Sequence, residues 1–104
     1  MSVGVEVARR QWDDGHRRFL DEAGDPLQAD RLHAALEAVT AELRRRLGQT
    51  FTVAELTREY ERADDWAREA VAATAAAPGW VRTVSIAQDA AFHLYQRGAT
   101  DYRP

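Results

Sequence analysis

Apolar side chains recur along this chain at helical spacing, and each recurrence is bounded by residues that start or stop helices. Ala8, Trp12, Phe19 and Ala23 form one stripe; Leu32, Leu36, Val39, Leu43 and Leu47 form a second; Val53, Leu56, Tyr60, Ala63, Ala67 and Ala70 form a third. Steps of three and four place each set on one face of an α-helix with charges opposite, as expected of a helix packed on one side. The last segment differs. Ile86, Ala87, Ala90, Ala91, Phe92, Leu94 and Tyr95 leave a polar face made only of Gln88, Asp89, His93 and Gln96. A helix apolar most of the way round belongs at the centre of a bundle. Its expected neighbour is the alanine-rich end of the third helix, where small side chains let two axes approach closely.

The boundaries are marked by acceptor side chains followed three residues later by glutamate or glutamine, the arrangement that satisfies free N–H groups at a helix start. Asp25-Pro26-Leu27-Gln28 opens the second helix with proline at its first position, where the missing N–H costs nothing. Thr52-Val53-Ala54-Glu55 opens the third, with Phe51 and Leu56 placed to pack across it as a hydrophobic staple. Ser85-Ile86-Ala87-Gln88 repeats the pattern for the fourth, and Pro78 to Val84, with Trp80, reads as a connector over one end of the core. Gly48 and Gly98 are the expected stops. Gly15 lies inside the first helix, where it costs about 1 kcal/mol relative to alanine and signals a bend or break. These signals predict an all-α single domain over residues 1–104, a bundle of four helices at about 5–23, 26–47, 53–77 and 86–97.

Charge patterning supports the same architecture. Acid precedes arginine by four residues at Glu6/Arg10, Asp13/Arg17, Asp14/Arg18, Glu42/Arg46 and Asp64/Arg68. Such pairs are neighbours on a helix surface and add roughly 0.2 to 0.5 kcal/mol each. At 104 residues with 45% hydrophobic and 30% charged side chains, the chain has the composition of an ordered globular domain. Its net charge of −3 does not suit a phosphate-backbone binder, so nucleic acid is an unexpected partner. No apolar run approaches the roughly 20 residues needed to span a bilayer, and residues 1–11 lack the apolar core of a signal peptide. No membrane partner is expected, and the expected location is cytoplasmic.

The residues available for chemistry are few. There is no cysteine and no lysine, which removes thiolate ligands, thiol nucleophiles, Schiff-base lysines and the phosphate-loop lysine. Of two serines, Ser2 is terminal and Ser85 is accounted for as a cap. Each histidine follows an aspartate at helical spacing: Asp13/His16, Asp30/His33 and Asp89/His93. Carboxylate-bridged metal bundles use acid-x-x-His pairs, but with glutamate and with every ligand pointing inward. Asp30 and His33 sit beside the Leu32/Leu36/Val39 stripe, and pairs that support their own helix explain the spacing equally well. No metal, cofactor or catalytic residue is assigned.

Residues 52–73 can be divided into a helix-turn-helix with its turn near Arg62 to Asp64. The second helix would then offer Asp64, Asp65 and Glu69 to phosphates with Arg68 almost alone in favour, and no glycine marks the turn. One continuous helix is simpler. The run Arg44-Arg45-Arg46 is explained by the dipole of the helix it ends. Trp66 lies one step off the Ala63/Ala67/Ala70 stripe, so part of its ring is expected to be accessible. With Arg62 and Arg68 beside it, Trp66 is the candidate centre of a partner-binding surface.

The segment Phe51 to Tyr60, then Asp64-Asp65-Trp66, Asp89-Ala90-Ala91-Phe92 and Arg97 to Tyr102, resembles small helical proteins of actinobacteria. The likeness covers about the last half of the chain and implies helical structure, with no activity, cofactor or site residue to carry over. Legible fold signals beside absent catalytic ones lead to a non-enzymatic helical interaction or regulatory module, binding a protein partner or itself. A DNA-associated regulator with a degenerate helix-turn-helix is the alternative, and a carboxylate/histidine metal bundle comes third.

Overall fold

The computed structural model describes residues 4–75 and 81–97. It contains four helices, α1 (Val5–Ala23), α2 (Pro26–Leu47), α3 (Val53–Ala75) and α4 (Val81–Gln96), and no strand among the described residues. The expected all-α bundle is the fold found. None of these helices is long and apolar enough to cross a membrane.

The local start and stop signals act as their chemistry requires. Asp25 accepts from Leu27 N at 3.0 Å with Pro26 at the first helical position; the Gln28 side chain lies outside the described ones. At α3 the box is reciprocal: Glu55 N donates to Thr52 Oγ1 at 3.1 Å, and Thr52 N donates to Glu55 Oε1 at 3.1 Å. Phe51 and Leu56 are buried in one cluster, as a staple requires. Gly48 ends α2 at φ 72° and ψ −155°, a conformation essentially restricted to glycine. Its carbonyl accepts from the Tyr95 hydroxyl, and the Tyr95 ring stacks on Phe51 at 4.4 Å, so the α2–α3 connection is tied down onto α4.

Two expectations need correction, and a third holds only in part. The fourth helix begins at Val81, not after Ser85, which lies exposed within it. Four further residues continue the helical register, and Val84 enters the core, so burial extends the helix past the apparent cap. Gly15 does not break α1, which is continuous from Val5 to Ala23. The expected packing of α4 on α3 is present, with Ala67 and Val71 in one buried cluster with Val84 and Ala87, but it is the lesser one: α4 touches every other helix, most extensively α1 and then α2. The central place of α4 is as expected, but the small residue that permits close approach is Gly15 of α1. Residues 76–80, with Trp80, and the Gly98 stop lie outside the described residues.

The core runs in two connected regions. Trp12, Leu43, Leu56, Ala63, Trp66 and Phe92 belong to the larger, while Phe19, Leu32, Ile86 and Ala90 form the smaller near the α1–α2 end. Of the acid/arginine pairs, Glu42/Arg46 forms at 3.0 Å, and Arg46 extends the network to Glu59 of α3 at 3.1 Å. Asp14 instead pairs with Arg17, three residues away, because its neighbour Asp13 is turned toward α4.

Candidate functional site

The side of α4 that carries Asp89 and His93 faces α1 and α3. Asp89 and His93 lie one turn apart on α4, and Asp13 and His16 lie nearly one turn apart on α1. Because the two helices run antiparallel with Gly15 at the crossing, the two Asp/His pairs are brought together along one seam.

The pairing crosses between helices. Asp13 Oδ1 lies 2.7 Å from His93 Nδ1. The His16 and His93 rings stack with centroids 4.2 Å apart and planes 14° from parallel. Asp89 turns the other way, toward α3, and accepts from the Tyr60 hydroxyl at 2.7 Å. Gln11 Oε1 stands 3.0 Å from the same hydroxyl. A hydroxyl has one proton, which goes to the nearer, charged acceptor, and the Gln11 amide can turn its nitrogen to donate to the hydroxyl oxygen.

Burial shapes the ionisation of this cluster. It raises the Asp89 pKa from its ordinary 3.8 to about 6, against the Tyr60 hydrogen bond and the charge of Arg18, and with the help of Asp64. Burial and the nearby Asp89 charge hold the Tyr60 hydroxyl well above its usual range, so Tyr60 is a permanent donor. His16 is shifted down, first by desolvation and then by His93, with Asp13 opposing and Arg97 reinforcing.

Beneath the seam is an aromatic stack. Trp12 is fully buried, face to face with Phe92 at 5.7 Å and edge-on to Tyr60 at 5.6 Å. Its Nε1 has no hydrogen-bond partner among the described residues, and an unsatisfied buried donor costs roughly 1 to 3 kcal/mol. Within the stack, packing holds Trp12 in place, while Tyr60 is also hydrogen-bonded to Asp89.

Asp30 and His33 do not join the cluster; His33 is exposed and sits edge-on to Phe19 at 5.3 Å. No group of three or more possible metal ligands comes together among the described residues. The histidine pair is also wrongly oriented for one ion, since a bound metal must lie in the plane of each ring and two nearly parallel stacked rings share no such point.

The exposure expected of Trp66 is not found. Its side chain is buried at 5% accessibility, 6.2 Å from Phe92, with the Arg46 guanidinium 4.9 Å from its ring centroid. The stripe on α3 is wider than one row because α2 and α4 pack against α3 from different sides. Arg46, held by Glu42 and Glu59, lies over the ring. Arg62 and Arg68 are exposed, but the accessible tryptophan they were to flank is absent. The alternative division of residues 52–73 into a helix-turn-helix has no turn, since α3 passes unbroken through 62–64 as the simpler reading expects.

Tyr60 and Gln11 are the members that sequence reasoning missed as site residues. Tyr60 stands in the apolar stripe of α3, and nothing local to it in the chain points to Asp89, which is 29 residues away on another helix. The chain matches no protein-family model, no curated protein and no solved structure.

Proposed function

We propose that this chain is a non-enzymatic helical module that acts by binding another protein or itself. The observation behind this reading is a pair of leucines left in solvent at the α1–α2 corner. Leu20, in the last turn of α1, is 57% exposed, and Leu27, in the first turn of α2, is 84% exposed. Each is within one helical turn of the same connection, and neither is needed to complete the core beneath, which Phe19 and Leu32 already fill. Large aliphatic side chains exposed together mark a surface that gains by being covered. Asp13, His16 and His93, by contrast, are engaged with one another along the α1–α4 seam.

Light scattering of the purified chain, together with affinity capture from its native lysate, tests the reading. Wild-type protein is expected to self-associate or to retain one protein partner reproducibly, and Leu20→Glu with Leu27→Glu is expected to abolish this while leaving the helical spectrum unchanged. A chain that stays monomeric and retains no protein sinks the proposal.

A further inference from the structure

We propose that the α1–α4 seam is a proton-operated latch, in which charging of both stacked histidines, His16 and His93, forces α1 away from α4. The proposal stands on where the two rings are. They come from different helices, lie 4.2 Å apart and 14° from parallel, and so cannot both become cations without setting two like charges face to face across the helix interface.

The protons do not act alike. His93 faces the Asp13 carboxylate at 2.7 Å, so a proton on His93 makes an ion pair that ties α4 to α1. A second proton, on His16, is opposed first by burial and then by His93 and Arg97, while Asp13, whose Oδ1 faces His93, favours it. The seam is therefore tightest with one proton on the pair and loosest with two. Histidine is the side chain whose ordinary titration makes such a change in mildly acidic conditions.

The other charged groups at the seam set the background. Asp89, between α1 and α3, is acted on by Arg18 from α1 and by Tyr60 and Asp64 from α3. It takes up a proton in the same range, and losing its buried charge favours the closed seam, so it works against the histidine pair. From α2, Leu32 and Leu36 meet α4 in the apolar cluster with Ile86 and Ala90. What resists opening is thus apolar packing plus Asp13–His93, and what drives it is the second histidine charge.

Histidine ring NMR and amide hydrogen exchange on the full chain, between about pH 7.5 and about pH 5, test the latch. The expected result is a coupled titration, in which the His16 signal responds to the charging of His93. In Asp89→Asn, which removes the opposing proton uptake, amides near 12–16 and 89–93 should lose protection by at least about fivefold beyond that of α2 and α3 after correction for intrinsic rates, the lower limit for two unit charges 4.2 Å apart in water. In the wild type, proton uptake by Asp89 offsets this loss. Adding His16→Phe, which keeps a ring in the stack without its charge, or His16→Gln to Asp89→Asn should abolish the loss. Independent titration of the two histidines in the wild type, which needs no variant to fold, or seam protection in Asp89→Asn that does not change with pH, overturns the proposal.

Discussion

Asp89 of α4 occupies the space that a side chain on Gly15 of α1 would need: a Cβ at Gly15 would lie 2.1 Å from the Asp89 Cβ and 3.1 Å from its Cγ. This contact places α1 directly on the polar side of α4 and brings Asp13 and His16 alongside His93. It also buries Asp89 deeply enough to hold it against Tyr60. The glycine is a packing requirement inside a regular helix.

Gly15→Ala is therefore expected to destabilise the fold by about 1 to 3 kcal/mol through overpacking, even though alanine is the better helix former by about 1 kcal/mol. Chemical denaturation decides the sign. A higher midpoint for the variant would show that α1 and α4 do not approach closely at this residue.

Asp89 makes stability pH-dependent in a definite direction. Its folded pKa, about 6, is above its ordinary 3.8, so the folded state holds the proton more tightly. The stabilisation is fully present below about pH 4 and is lost as the pH rises through about 6, amounting to on the order of 2 to 3 kcal/mol at neutral pH. Asp89→Asn, which keeps an acceptor for Tyr60 without the charge, should raise stability at pH 7 and leave it little changed at pH 4. Tyr60→Phe should do the reverse, weakening the fold at pH 7, where the buried carboxylate loses its donor, more than at pH 5. Denaturation midpoints across this range for the three proteins check both signs.

His16 contributes with the opposite slope. Its folded pKa is depressed below 6.5, so the stability associated with the neutral ring is present above that value and is lost as the pH falls through it. In Asp89→Asn the remaining pH dependence should run this way, with the fold weakening on acidification. A flat profile in that variant would show that His16 is not desolvated at the seam.

Thr52→Ala removes the side chain that accepts from Glu55 N and should cost about 0.5 to 2 kcal/mol. An unchanged denaturation midpoint would mean that the reciprocal bonds at the start of α3 carry no net stability.

Trp66 should be shielded from acrylamide when read across single Trp-to-Phe variants, in keeping with its 5% accessibility. Trp66→Ala should cost about 3 to 5 kcal/mol as a buried aromatic truncation. Replacing Arg46 by methionine should cost about 1 kcal/mol or less, because its contact with the ring lies at the edge of the core. Strong quenching of Trp66 in the isolated monomer would restore it as a candidate contact surface.

The sequence by itself determined what depends on neighbours within about four residues. Asp25 before Pro26, the Thr52/Glu55 box, Gly48 and the apolar steps through Trp12, Leu43, Leu56 and Phe92 each specify a helix end or face through contacts made inside one element. That is why the four helices and the central character of α4 were legible. Ser85 misled for the same reason: a local cap pattern was present, but the burial that carries α4 back to Val81 depends on other helices. The packing of the helices on one another set the rest: α1 makes the most extensive contact with α4, Gly15 serves that approach, and Arg46 from α2 covers Trp66. This packing alone joined Asp13 to His93 and Asp89 to Tyr60, where same-helix spacing pointed to Asp13/His16 and Asp89/His93. The physical reason is that helical periodicity gives the direction of a side chain relative to its own axis, whereas a pair across two helices also needs their relative rotation and rise, which here follow from how Gly15 and the Trp12–Phe92 stack fit together.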